Sequence, residues 1–520
     1  MKTLKKFIAL LISALVCTSL LSCTTTWENG KDADNSVYDD SSLRDYQLQE
    51  PTATEFTLAK YCSKNMVVPR DNNIIIWGTA PDSQNGNVVC AEFKGLKGSG
   101  VISDGQWQII LQGTLPACCD EGQSIRVYGI DYSVFIDNVL VGDIWVINGQ
   151  SNAYIPFNQN TDAMSMYKEF FTESANMNFR VLMQPADYLS TKYTLEELDT
   201  PQNDVKISWS IPSKSRTPAY TMLGCFFAAK LLEINPQVPI GIINTSVGGV
   251  CIKSLVSQET AAKFSESLLG TDDDDSVFGR SRIYNAFIAP ITKVHITGMV
   301  FFQGEGDAIS YSSYADALRY TVADYRKAFN NNFLFINMQL CSYGYTAGIW
   351  GCVNYLRFAQ AEPAIDKSIN DYYIVPTFDY GYNEGDSDMA HSAYKKEVAD
   401  RAALIAAAKI YNIGDISEVG TPIPDNISYT GKKVTIYYDF VAEGLQTSDG
   451  HETPCGFQVL TEGGWILPES VQMTENSVIL TSNLKISGVQ YAASLFYDSA
   501  EATLINSLGT PACPFSVEFD

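Results

Sequence analysis

Hydrophobic and polar positions along the chain fall into three regimes. From Pro51 to about Val141, short runs at Ile74–Trp77, Val88–Phe93, Trp107–Leu111, Ser124–Tyr128 and Tyr132–Ile136 recur between turn residues. That spacing predicts a β-sandwich-like domain over residues 51–141. Over 142–414 the style changes. Apolar runs at Asp143–Ile147, Val238–Asn244, Ile296–Phe302, Phe333–Leu340 and Tyr373–Phe378 alternate with helix candidates at Ala219–Glu233, Tyr314–Phe329, Trp350–Ala361 and Ala393–Tyr411. Apolar strands alternating with amphipathic helices predict an α/β domain, a parallel sheet with helices on both faces. Over 415–520 the short-strand style returns at Lys433–Phe440, Gly456–Leu460, Val478–Leu480 and Gln490–Phe496, predicting a C-terminal β-domain. Parallel sheets bind ligands at the carboxyl ends of their strands, so the chemistry is sought in the loops that follow them.

The first 23 residues read as a lipoprotein export signal. Lys2, Lys5 and Lys6 precede an apolar run, Phe7–Leu21, too short to span a bilayer. The run ends at Leu20-Leu21-Ser22-Cys23, which resembles a lipobox, with Cys23 as the lipidated residue. Residues 24–50 are polar and acidic, as a tether between anchor and domain should be. The expectation is an exported protein held in a bacterial cell envelope, touching membrane only through that anchor. A formal net charge of -24 argues against a nucleic-acid partner, whose phosphates would be repelled. No C-x-x-C pair points to zinc. Adjacent Cys118 and Cys119 suggest one disulfide, and the acidic run 272–275 reads as a solvated loop.

Gly149-Gln150-Ser151-Asn152 directly follows the run Asp143–Ile147. A Ser beside Gly just past a strand end can expose its hydroxyl in a tight turn, though a structural turn accounts for the tetrapeptide equally well. A nucleophilic Ser needs a base, and the chain has three histidines. His451 sits in a turn of the terminal β-region, and His295 leads into a core strand. His391, in Asp386-Ser387-Asp388-Met389-Ala390-His391, lies beside carboxylates that could orient and stabilise its imidazole. Two further loops follow apolar runs: Asn244-Thr245-Ser246-Val247-Gly248-Gly249 and Phe302-Gln303-Gly304-Glu305. A glycine N–H and a Gln side-chain amide are donor types suited to an oxyanion hole.

These blocks resemble the sialate O-acetylesterase family of SGNH hydrolases. The resemblance is carried by Leu140-Val141-Gly142-Asp143-Ile144-Trp145 with Gly149-Gln150-Ser151-Asn152, by Tyr284-Asn285-Ala286-Phe287-Ile288-Ala289-Pro290, and by Gln303-Gly304-Glu305. It continues through Leu356-Arg357-Phe358-Ala359-Gln360 and through His391 with Lys395, Glu397, Val398 and Arg401. It implies an SGNH-type sheet flanked by two β-domains and a serine esterase acting on O-acetylated sugars, with no metal or organic cofactor. Ser151 is then the nucleophile, His391 the base and Asp388 its orienting carboxylate, with Asp386 as the alternative. Gly249 (or Gly248), the Ser151 N–H and the Gln303 amide would hold the oxyanion. Departures such as Ala153, Val250, Leu255, Phe302, Gly306-Asp307 and Ser392 leave every catalytic group in place but bear on the substrate. Sialate is the first expectation, with Arg357 as a candidate for its carboxylate. Acetylxylan or another acetylated glycan is the alternative, and an inactive carbohydrate-binding lipoprotein the rival from another class.

Overall fold

The computed structural model describes residues 56–129, 132–183, 193–202, 208–269, 276–345, 351–494 and 501–519. The lipidation site Cys23 and the acidic run 272–275 lie outside the described residues. The chain separates into two compact units. The smaller one is antiparallel: a sheet of Thr57–Leu58, Ile75–Thr79 and Gln106–Ile110, and another of Leu96–Val101, Val88–Phe93, Ile125–Tyr128 and Ser133–Ile136. Alternation explains it. Trp107 and Ile109 are buried while their neighbours along the strand are half-exposed.

The larger unit is organised by a parallel sheet. Its strands are β1 (Val67–Pro69), β2 (Leu140–Gly149), β3 (Phe179–Met183), β4 (Ile240–Asn244), β5 (Gly298–Phe302), β6 (Leu334–Met338) and β7 (Tyr372–Val375). The lateral order is β3-β4-β2-β5-β6-β7, with β1 pairing the first residues of β2. β2 is buried along its whole length and reads both faces. Trp145 meets Phe227 edge-on at 4.8 Å, on helix α1 (Met222–Ile234), and Ile147 lies under Gly224 of the same helix. Asn148, on the other face, donates to the Tyr325 hydroxyl at 2.8 Å, on α2 (Tyr311–Ala328). Helices therefore cover both faces, as continuous apolar strands require. α3 (Val353–Ile365) packs with α2, and α4 (Lys395–Ala406) with α1. In α4 the buried positions Val398, Ala399, Ala402, Ala403 and Ala406 mark one helical stripe. Among the described residues, no helix is long and apolar enough to cross a membrane.

Strand β3 is not evident in the sequence, because Arg180 interrupts a short apolar run; burial pulls that guanidinium below its usual value. The C-terminal strands form antiparallel sheets, one of them Ile423–Thr430, Lys433–Asp439, Ser477–Thr481 and Ser470–Met473 in order. Their buried apolar side chains form a cluster that extends onto the central α/β region. Val434, Ile436, Leu480, Val489 and Phe515 share one apolar cluster with Ala361 of α3 and Ile374 of β7. The ten cysteines among the described residues form no disulfide. The expected bridge at Cys118 or Cys119 is therefore corrected: Cys118 contacts the Asp120 carboxylate and Cys119 the Gln237 carbonyl.

Candidate active site

The order β4-β2-β5 places three loops side by side at the carboxyl end of the sheet, where the chain reverses direction about β2. That crevice is where open parallel sheets bind ligands. β2 ends on Gly149, whose φ of 129° suits glycine. A side chain there is also excluded by space, because a Cβ would lie 2.0 Å from the Phe302 carbonyl oxygen. β2 and β5 thus approach closely, and the next residues turn into a short helix, Ser151–Tyr154. Ser151 is only half-buried.

The β4 loop lies along the end of β2. Thr245 donates its N–H to the Ile147 carbonyl at 2.9 Å, and Val247 to that of Gly149 at 3.1 Å. A Cβ at Gly248 would stand 3.7 Å from that of Ser151, and Gly249 takes a φ of 75°. Among the described residues, the N–H groups of Ser151, Gly248 and Gly249 have no internal acceptor. Three free donors beside one hydroxyl suit an anionic oxygen.

Gln303 stands elsewhere, and its expected role is corrected. Its side chain is fully buried. The amide nitrogen donates to Asp307 Oδ2 at 2.5 Å and to the Val250 carbonyl at 3.2 Å, and the amide oxygen accepts from the Tyr314 hydroxyl at 2.6 Å. With both ends engaged inward, Gln303 braces the loops from beneath. Burial raises the Asp307 carboxyl to about 6, against the opposing pull of the Gln303 amide and the Ile252 N–H.

His391 Nδ1 lies 2.9 Å from Asp388 Oδ2, while Asp388 Oδ1 accepts from the N–H groups of Ala390 and His391 at 2.9 and 3.0 Å. Partial burial alone would raise the Asp388 carboxyl; these hydrogen bonds outweigh it and hold the group below its usual value. With Nδ1–H given to Asp388, Nε2 of the neutral ring is left to accept a proton. Asp386 instead accepts from the Asn383 N–H at 2.8 Å, closing a local turn.

What brings the His391 loop to Ser151 is a set of side chains to which the residue pattern assigns no role. Asn152 donates to Glu305 at 2.7 Å and to the Ala390 carbonyl at 3.2 Å, and Asn160 donates to the His391 carbonyl at 2.7 Å. Glu305 also accepts from Tyr343 at 2.6 Å, and Gly344 N–H reaches the Met389 carbonyl at 2.8 Å. Asn152 and Glu305 could have been singled out, since one adjoins Ser151 and the other lies two residues from Gln303. Asn160 and Tyr343 leave no signal in the sequence. Arg357 is not positioned for a ligand carboxylate: it is buried and donates to the carbonyls of Leu340, Cys341 and Ser494 at 2.8, 2.5 and 3.1 Å. Among the described residues, no group of three or more His, Cys, Asp or Glu side chains is placed to hold a metal ion.

The sheet order, the helices on both faces and the loop positions define an SGNH-hydrolase-like fold. A family model for sialic acid-specific acetylesterases, a group of carbohydrate esterases, matches residues 141–398. Residues 141–398 of the chain belong to this carbohydrate esterase family. It is 25% identical over 291 residues to the sialate O-acetylesterase of Homo sapiens, covering 53% of this chain and 54% of that protein. It is 22% identical over 443 residues to the sialate O-acetylesterase of Rattus norvegicus, covering 74% and 79%. The chain thus spans about half the length of the human relative it matches. A crystal structure of a carbohydrate acetylesterase from Xanthomonas citri has the same fold, with a TM-score of 0.75, 21% identity, and coverage of 89% of this chain and 99% of that one.

Proposed function

We propose that the protein is a serine esterase that removes O-acetyl groups from sugars, with O-acetylated sialate as its first candidate substrate. The observation that carries the reading is the Asp388–His391 pair, held beside the nucleophile turn by Asn152 and Asn160. Ser151 Oγ attacks the ester carbonyl as His391 Nε2 takes its proton, and the N–H groups of Ser151 and Gly249 (or Gly248) receive the oxyanion. His391 then returns the proton to the departing sugar hydroxyl, and water, activated by the same imidazole, hydrolyses the acetyl-enzyme.

One observation favours a second reading of the substrate. The Arg357 guanidinium is spent on three backbone carbonyls, and the Lys395 ammonium is buried and donates to the Ser392 carbonyl at 2.9 Å. Neither cation is left to receive a sialate carboxylate, which suits a neutral acetylated glycan such as acetylxylan. The test is acetate release from p-nitrophenyl acetate and from a panel of acetylated sialosides and neutral glycans. The wild type releases acetate, and Ser151→Ala lowers turnover on the order of a million-fold with folding intact. A wild-type protein inert on every ester makes it a binder, and an unchanged Ser151→Ala rate removes Ser151 from the mechanism.

A further inference from the structure

Crossover helices in a parallel sheet run back against the strands, so α2 and α3 both begin at the end of the sheet that carries Ser151. Their first turns present aromatic side chains to solvent. Tyr311 and Tyr355 stack at 4.9 Å with ring planes 28° apart, and both are exposed, at 36% and 45%. Ile309, 65% exposed, precedes Tyr311 on the same connection. Neither folding nor helix capping requires large apolar groups at these positions, and clustered exposed apolar groups mark interaction sites.

The chain links the patch directly to the candidate active site. Glu305, bonded to Asn152 beside the nucleophile, opens the 3₁₀ segment Glu305–Ser310, and Tyr311 follows directly. At roughly 2 Å per residue that segment spans about 12 Å between Glu305 and Tyr311. A group at that distance is beyond an acetyl ester and its own sugar ring, but within reach of a neighbouring unit of the same chain. Tyrosine suits a sugar there, because the ring packs on the C–H face of a pyranose while the phenol keeps a polar tip in water.

We propose that Tyr311 and Tyr355 form a stacking subsite for a sugar ring further along a glycan whose acetylated unit sits at Ser151. The substrate is then chain-borne acetyl sugar rather than a free acetylated monosaccharide. The inference rests on the esterase reading for its catalytic arm only. In that arm, kcat/KM of Tyr311→Ala/Tyr355→Ala is compared on acetylated xylo-, manno- and sialyl-oligosaccharides, on the matching acetylated monosaccharides and on p-nitrophenyl acetate. The expected result is a loss of about tenfold or more on at least one oligosaccharide, carried by KM, with the short esters within about twofold; this is ~1.4 kcal/mol of stacking. The binding arm titrates the deacetylated oligosaccharides calorimetrically into Ser151→Ala, with and without the two tyrosine changes, and needs no turnover. Oligosaccharide binding that disappears with the tyrosines supports the subsite even if no ester is cleaved. Oligosaccharides bound no better than monosaccharides, or equal losses on long and short esters, overturn it.

Discussion

The two ends of the parallel sheet each carry a histidine among charged groups, yet the surroundings of the two differ. At the carboxyl end, His391 gives Nδ1 to a carboxylate, and its loop is tied to the Ser151 turn, whose N–H groups have no internal acceptor among the described residues. At the amino end, His295 Nε2 lies 3.1 Å from the Asn72 side-chain amide, and burial lowers its tendency to protonate. The charges around it are already matched: Arg70 with Asp143 at 2.8 Å and Lys409 with Asp371 at 3.1 Å. A cleft of about 500 Å³ opens at this amino end, lined by His295, Asn72, Arg70 and Lys409. Space and a histidine therefore do not make a site. Strand polarity and unspent hydrogen-bonding capacity separate the two ends.

The sharpest way to break this contrast is to remove each imidazole in turn. His391→Ala should lose on the order of a million-fold in turnover, close to the loss of the nucleophile itself. His295→Ala should leave kcat unchanged and cost about 1 kcal/mol of stability, the worth of one hydrogen bond. Turnover of p-nitrophenyl acetate and urea unfolding of both proteins decide the matter, and a kcat loss at His295 would erase the distinction.

A finer contrast lies within the His391 loop. Asp388→Asn should lower kcat by about ten-thousand-fold, because an amide in place of the carboxylate no longer holds the ring's proton on Nδ1. Asp386→Asn disturbs only a turn and should stay near wild type. The reverse ranking would place the orienting carboxylate at Asp386.

The smallest effect concerns the brace under the loops. Gln303→Ala should cost about 1–3 kcal/mol of stability by leaving buried polar partners unmatched. Its kcat per folded molecule should fall well short of the roughly hundredfold or greater loss that follows removal of an oxyanion donor. Asp307 gives the same region a pH signature. Its carboxyl sits at about 6 in the folded chain against an ordinary 3.8, so the fold holds the proton more tightly than the unfolded chain does. Stability from protonated Asp307 is present below about pH 4 and lost as pH rises to about 6, by roughly 3 kcal/mol at ~1.4 kcal/mol per unit. Relative to Asp307→Asn, wild-type stability in urea should decline across that window. A constant difference would show that Asp307 does not titrate there.

Much of this architecture is legible in the residue pattern because buried parallel strands must be apolar on both faces. β2, β4, β5, β6 and β7 all lie within or beside runs such as Asp143–Ile147 and Val238–Asn244. β3 escapes that reading because a charged residue, Arg180, is buried in it, and the C-terminal strands 423–430 and 515–518 because edge and surface positions dilute their alternation. In the site, Ser151, Asp388 and His391 stand out by residue type and spacing. Gln303 misleads for a physical reason: an amide suited to an oxyanion is equally suited to a buried carboxylate, and only packing shows which it meets. The clamps made by Asn160 and Tyr343 join residues far apart in the chain. No local pattern encodes them.

The apolar cluster shared by the C-terminal strands with Ala361 and Ile374 bears on how this chain can change over evolutionary time. A segment whose core touches nothing else can be exchanged between genes like a cassette. Here recombination near residue 415 would strip the cover from α3 and β7, and would remove the Ser494 and Pro514 carbonyls that receive Arg357 and Gln339. The candidate-site region and the terminal strands are therefore coupled in stability, and lost packing on either side weakens the other.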